Sequence, residues 1–283
     1  LKETSVVGAT VPGIPIIFSG KNNQLAWGSS FSFVDDQDLY FEKINLANKN
    51  EYLSPSGYKQ FSNEKKLIKV KNNATISFTV RRTESRVIIP HELYGMQSIV
   101  PDGFLISLAW TGFKNNDKTL ETFVNLMSAK SFDEFNTNML QSNSFNLILV
   151  VADQTEINSV FIGNSPKRKK ENETRGQVIT PGWKIENQWR LDEKEETKPV
   201  ASSKKNGLIL NTNNSFSERP FPDHMSFNWG DEQRLLRATK MVSKREFHSI
   251  ESFKELQNDF ISEPARTLLP RLGKELWFQY DNK

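Results

Sequence analysis

Gly20-Lys-Asn-Asn-Gln-Leu-Ala-Trp-Gly-Ser-Ser-Phe-Ser-Phe-Val-Asp-Asp-Gln-Asp-Leu-Tyr-Phe-Glu-Lys-Ile-Asn45 reads as two strands held apart by an acidic loop. Lys21 to Gln24 is a polar turn, and Leu25-Ala26-Trp27 is a short apolar run of strand type, which Gly28 is expected to break. Leu39 to Ile44 alternates, with Leu39, Phe41 and Lys43 on one side and Tyr40, Glu42 and Ile44 on the other. Between them stand Asp35, Asp36 and Asp38. Carboxylates this close repel one another unless a cation or hydrogen-bond donors hold them, so the loop could supply oxygens to a hard cation such as calcium. It is not the EF-hand pattern, and spacing alone favours a solvated acidic turn.

Working outward, 283 residues suffice for a large core, and 36% hydrophobic with 20 Phe describes a globular chain rather than a disordered one. The net charge of +3 comes from interspersed acids and bases, so nothing calls for a nucleic-acid or membrane partner. Lys167 to Lys170 is a basic run followed by Glu171 and Glu173, and reads as a solvated loop. The absence of cysteine excludes disulfides, thiolate metal sites and cysteine catalysis. No apolar run approaches the ~18 residues that cross a bilayer, and no signal peptide opens the chain. Because Leu1 is not an initiator Met, the sequence is expected to begin inside a longer precursor or at an artificially trimmed start.

In chain order, Ile16-Ile17-Phe18 is expected to be a buried strand after the Pro/Gly bends at Pro12, Gly13 and Pro15. Leu67–Val70 and Thr75–Val80 form a hairpin through Asn72-Asn73. Phe104–Trp110 is a buried strand. Leu120, Phe123, Val124 and Met127 give a helix one apolar face. Ser131-Phe132-Asp133-Glu134 is a capping box for a second helix with Phe135, Met139 and Leu140 inward. Phe145–Ala152 is apolar almost throughout, as a strand covered on both faces would be, and Ile157–Gly163 is its partner. Gly207–Asn211 is expected to be a short strand. Leu235, Leu236 and Met241 mark one late helix, Ser249 caps another with Phe253, Leu256 and Phe260 inward, and Pro264–Leu272 is a third. Strands paired in sequence with grouped helices make the fold α+β rather than βαβ-wound.

Chemistry must come from few residue types. The histidines are His91, His224 and His248, and none lies in a nucleophile-elbow context. The zincin, Walker A and dinucleotide-binding signatures are all missing. That leaves Asn, Arg, carboxylates and backbone amides. Within Asn211–Ser215, an Asn at a strand end can aim its side-chain amide at a developing oxyanion. The same residues also fit an Asx turn, and Asn213-Asn214-Ser215 is formally a glycosylation sequon. Asp223 and Arg234 pass as surface charges.

These residues occur together in one family. Gly8 to Pro15, Gly20-Lys21-Asn22 with Ala26-Trp27-Gly28, and Asp35-Asp36-Gln37-Asp38-Leu39-Tyr40 resemble the β-subunit of penicillin amidases, which are N-terminal nucleophile hydrolases. The resemblance continues in collinear order through Ala109-Trp110-Thr111, Val151-Ala152-Asp153, Pro181-Gly182-Trp183, Asn213-Asn214-Ser215 and Trp229-Gly230 with Arg234. It implies a four-layer αββα sandwich of antiparallel sheets. It also implies a β-chain serine exposed by autocatalytic cleavage, whose own α-amino group is the base, so that no catalytic His is needed.

Carried over by position, Asn213 matches the oxyanion-hole asparagine, Phe31 the residue whose backbone N–H is the second donor, and Arg234 an arginine that orients the polar network. Phe33 matches an aromatic of the acyl pocket, with Ser29 beside it. Family members that bind calcium between subunits suggest Asp35, Asp38 and Asp223 as carboxylate ligands, with main-chain oxygens of Gln37 and Gly176, for a structural Ca2+. The resemblance makes residues 1–283 a partial β-subunit, without the N-terminal serine segment and the C-terminal portion, and inactive alone. Its partners would be the α-subunit, the remaining β-subunit segments and a small-molecule N-acyl substrate. A periplasmic or secreted location is the family's usual one, and a non-catalytic homologue acting as a binding module is the alternative. The sequence departs from the family pattern at Phe31, which is larger than usual, at Ser19, which replaces an apolar pocket residue, and at Arg82-Thr83-Glu84-Ser85-Arg86, where a Thr-Arg-His-Gly-Pro signature is common.

Overall fold

Alternation of apolar and polar side chains builds two antiparallel sheets, seen in a computed structural model that describes residues 5–113, 117–138, 144–190, 200–203 and 207–276. The strands are β1 (Val7–Ala9), β2 (Ser19–Lys21), β3 (Ala26–Phe31), β4 (Gln37–Asn45), β5 (Asn48–Ser54), β6 (Gly57–Gln60), β7 (Ser62–Ile68), β8 (Ile76–Arg82), β9 (Val87–Ile89), β10 (Phe104–Trp110), β11 (Leu147–Ala152), β12 (Ile157–Ile162), β13 (Thr180–Pro181) and β14 (Val200–Ser203). The first sheet runs β1-β2-β3-β11-β12-β14 and the second β6-β5-β4-β10-β9-β8-β7, with β13 added parallel to β4. Five α-helices, α1 (Thr119–Ser128), α2 (Phe132–Asn138), α3 (Gln233–Val242), α4 (Ile250–Gln257) and α5 (Glu263–Leu276), and 3-10 turns at Leu93–Ser98, Thr111–Phe113 and Ile185–Asn187 complete the described elements.

The near-continuous apolar run of β11 has the burial it predicts. Leu147, Leu149 and Val151 face α1 and α2 and pack with Trp27, Val160, Ile162, Phe123, Leu126, Phe132 and Phe135. Ile148, on the alternate face, joins Phe161, Val34 and Met225, and Phe216 and Trp229 close over them. Both faces of the strand are therefore dry, which is why no polar alternation survives in its sequence.

The second sheet buries a charged pair instead. Glu42, fully buried, accepts from Arg86 Nε at 2.7 Å and Ser107 Oγ at 2.6 Å. The Arg86 guanidinium also lies 4.4 Å from the centre of the Tyr40 ring. Burial, more than the nearby Asp38 charge, pushes the Tyr40 hydroxyl strongly above its usual range, so it stays neutral and donates to Asn187 O.

Several expectations are corrected. Gly28 does not break a strand, because β3 continues through it to Phe31 in register with β11. Ile16 to Phe18 is not a strand, although Ile16 is buried, and Gly207–Asn211 forms no strand, with Gly207 at a φ of 62°. In α1 the buried face is Thr119, Thr122, Phe123 and Leu126, while Leu120 and Val124 are exposed. Ser131 accepts from Glu134 N–H as a cap should, but the Glu134 carboxylate reaches back to Lys130 N–H, one residue before the cap. Met139 and Leu140 lie outside the described residues. The β7–β8 hairpin forms, with Ile68 opposite Ile76, but its loop is longer than the tight turn expected at Asn72-Asn73. Ser249 does cap α4, with Ser252 completing the box, yet Phe253 and Phe260 are exposed.

Candidate active site

The edge of β3 holds the first group of predicted residues. Ser32 N–H donates to Asn146 O at 3.1 Å, which makes that pair hydrogen-bonded and the next pair, Phe31 opposite Leu147, a non-hydrogen-bonded one. The N–H and C=O of Phe31 therefore both point away from β11. On that side β2 pairs only with Ala26 and Trp27 and stops short of Phe31.

Asn213 occupies the space beyond. Its Nδ2 donates to Phe31 O at 2.6 Å, and its Oδ1 accepts from Arg234 Nη2 at 3.0 Å. The arginine fixes which end of the amide is which, because a guanidinium can only donate. One of the two amide hydrogens remains to be directed at a ligand, beside the Phe31 N–H. The backbone reaches this position through a positive φ of 65° at Asn213, a conformation Asn tolerates better than other L-residues. Asn211 Oδ1 accepts from Asn213 N–H at 3.1 Å and from Ser30 Oγ at 2.5 Å, tying the turn to β3. Asn213, Phe31 and Arg234 are thus brought together. Ser29 is half-buried with its N–H on Ser19 Oγ at 3.1 Å, so the departure at Ser19 supplies a hydrogen bond. Phe33 is half-exposed at a φ of 52°.

The acidic loop follows directly and is pinned from several sides. Asp35 N–H donates to Met225 O at 2.8 Å. Asp36 accepts from Trp110 Nε1 at 3.0 Å and Asn146 Nδ2 at 2.7 Å. Burial raises the Asp36 carboxyl above its usual range against these two hydrogen bonds, which act to lower it.

Asp38 is buried and forked by Arg168, with Nε to Oδ2 at 3.0 Å and Nη2 to Oδ1 at 2.8 Å, while Trp189 Nε1 donates to Oδ2 at 2.6 Å. The same Nη2 lies 3.1 Å from Asp35 Oδ2 and 3.5 Å from Asp35 O. His224, packed between Phe221 and Phe227, brings Nε2 to 3.5 Å from Asp35 Oδ2. Gly176, at a φ of 78°, runs so close that a Cβ would stand 2.5 Å from Asp38 Oδ1 and 2.6 Å from Arg168 Nε. Asp223 lies 3.8 Å from Lys167 Nζ, and Gln37 begins β4 opposite Trp110.

The expected calcium ligands therefore gather only in part, and what they gather around is a guanidinium. Calcium needs six to eight oxygens at about 2.3–2.6 Å. Here both Asp38 carboxylate oxygens already accept from nitrogen donors, Asp35 Oδ2 faces the same guanidinium, and no cluster of three or more His, Cys, Asp or Glu among the described residues is arranged to hold a metal. The donors that the described residues of this chain bring there do not by themselves make a calcium site. The basic run is also corrected: Arg168 is 1% exposed rather than part of a solvated loop. Sequence reading missed Arg168, Trp189 and Asn146. The one signal available was that Lys167-Arg168 offers two cations to an acidic loop in need of them.

Residues 1–283 match the family model described as penicillin amidase. The acyl-homoserine lactone acylase QuiP of Pseudomonas syringae pv. tomato is 25% identical over 96% of this chain and 32% of its own length. The penicillin G acylase of Escherichia coli is 26% identical over 85% of this chain and 27% of its own. This chain thus spans about a third of the curated relatives it matches. A thermostable penicillin G acylase from Alcaligenes faecalis has the same fold, with a TM-score of 0.78 at 21% identity over 99% of this chain and 49% of that one.

Proposed function

The chain belongs to the penicillin amidase family, and on that premise we propose that the protein containing it hydrolyses a linear amide between an acyl group and an amine. The names of its relatives, acylases of penicillin G and of acyl-homoserine lactones, support the reaction class. The observation that carries the reading is the Arg234–Asn213–Phe31 chain of contacts at the open end of β3. An oxyanion placed there meets two donors that need no reorganisation, the free Asn213 amide hydrogen and the Phe31 N–H.

In this mechanism an N-terminal serine attacks the amide carbonyl and its proton passes to its own α-amino group. The carbonyl oxygen becomes the oxyanion held by Asn213 and Phe31. The amine leaves with that proton, and water then hydrolyses the acyl-enzyme by the same steps. Phe33 and Ser29 would border the acyl group, Phe33 by its exposed ring. The serine, the α-subunit and the rest of the β-subunit would come from the same precursor, in the periplasm or outside the cell. Among the described residues no helix is long and apolar enough to cross a membrane.

The test uses Asn213→Gly in the mature, full-length protein. Glycine accepts the positive φ, so the turn keeps its shape while the amide donor disappears. We expect kcat to fall by about 10²- to 10³-fold on an N-acyl substrate the parent cleaves, with the variant still folded and its melting temperature lowered by a few degrees through the two lost side-chain hydrogen bonds. Unaltered turnover in the folded variant would sink the assignment.

A further inference from the structure

We infer that Arg168, with Lys167 beside it, is a tethered cation standing where relatives of this fold could place a divalent ion, so that the acidic loop holds its shape without calcium. The carboxylates expected as ligands, Asp35, Asp38 and Asp223, carry three negative charges. Lys167 and Arg168 return two positive charges from adjacent positions, as a divalent cation would. The match is geometric as well as numerical. The guanidinium forks both oxygens of Asp38, and one of its nitrogens also faces Asp35 Oδ2 and Asp35 O. A planar fork is the arrangement in which arginine binds carboxylate most strongly.

The guanidinium and its neighbours already engage both oxygens of Asp38. Gly176 packs its backbone against the Asp38–Arg168 pair closely enough that even a methyl group would collide. Trp189 Nε1 takes the remaining direction at Asp38 Oδ2, and the Arg168 side chain is fully shielded from solvent. An ion at coordination distance from Asp38 would set a second cation against the guanidinium in a site shielded from solvent, where like charges repel strongly. Arg168 comes from the segment between β12 and β13, about 130 residues along the chain from the loop it serves. It therefore ties these segments together as a bridging ion would. The inference stands apart from the catalytic reading and fails or survives independently of it.

The test is calcium binding and calcium-dependent stability in the mature protein purified from its own gene. Equilibrium dialysis with radiolabelled calcium, and melts in millimolar calcium against excess chelator, should show no ion held at this site and no change in Tm. Tight binding that raises the wild-type Tm and disappears in Asp223→Asn, a change at a half-exposed position, would overturn the proposal. Calcium retained undiminished in that variant sits elsewhere and leaves the proposal standing. As a second measurement, Arg168→Ala should lower Tm by roughly 10 °C or prevent accumulation. Arg168→Lys, which keeps a charge without the fork, should recover part of the loss. An Arg168→Ala protein as stable as its parent, with or without calcium, also counts against the inference.

Discussion

Asn213 shows how little separates a turn residue from a chemical one. An Asn at positive φ, with neighbouring amides as partners, is what an Asx turn looks like, and the local hydrogen bonds of Thr212 and Asn214 have that character. What distinguishes Asn213 is that neither end of its side chain is spent locally: one goes to β3 and the other to α3. Arg234 is then the residue whose loss discriminates. Without its hydrogen bond to Oδ1, only the Nδ2 hydrogen bond to Phe31 O opposes rotation of the amide, which would present oxygen to the reacting carbonyl. A charge-assisted hydrogen bond contributes about 1.5–3 kcal/mol, so Arg234→Met should lower kcat about 10- to 100-fold. The cost should fall on kcat more than on KM, since the amide acts on charge that develops in the transition state. Steady-state kinetics on the mature enzyme check this, and a change confined to KM would argue that Arg234 binds substrate instead.

At the scale of elements, the β11–β12 hairpin supplies the rigid floor on which β3 is aligned, and its turn rests on one carboxylate. Asp153 accepts from Thr155 N–H at 2.7 Å, Thr155 Oγ1 at 2.8 Å and Glu156 N–H at 2.9 Å. These hydrogen bonds, the backbone one to Thr155 foremost, hold its carboxyl below the usual range. A depressed folded pKa gives stability that is present above the unfolded value near 3.9 and is lost as pH falls through the folded value. Asp153→Ala should therefore cost about 1–2 kcal/mol at pH 7 and less near pH 3, which denaturant unfolding at the two pH values measures. The strands of this region were legible because one cause fixed them. Phe104–Trp110 and the run ending at Ala152 are apolar because they are buried, and burial made them strands. The face of α1 was not, since its core contacts include Thr119 and Thr122. Threonines can be buried when local partners take their hydroxyls, as Asp117 does for Thr119. Nor was the loop's counter-cation legible, because Arg168 is near Asp38 only after folding. The group proposed to hold the oxyanion came to notice through collinear resemblance, not through local pattern.

For the molecule as a whole, stability and exposure are unevenly placed. The core between the first sheet and α1 with α2 is closed by its own residues, and Leu149, Val151, Phe123 and Leu126 are fully buried there. The α3–α5 region is held differently. Arg237 bridges Asp259 at 2.6 Å and Glu263 at 3.0 Å, while Phe247, Ile250 and Phe260 stand exposed and α4 buries no side chain. These side chains are largely shielded, but a few ion pairs do not replace an apolar core, which resists truncation strongly. Leu149→Ala should accordingly cost about 2–5 kcal/mol of unfolding free energy, through lost burial and the cavity left in a strand packed on both faces. Phe260→Ser removes a ring that is 90% exposed in this chain and should change stability by no more than about 0.5 kcal/mol. Paired denaturant titrations decide between this view and a uniformly cooperative core. A Phe260→Ser loss as large as that of Leu149→Ala would mean that the C-terminal helices bury this ring in the mature protein and share the main core.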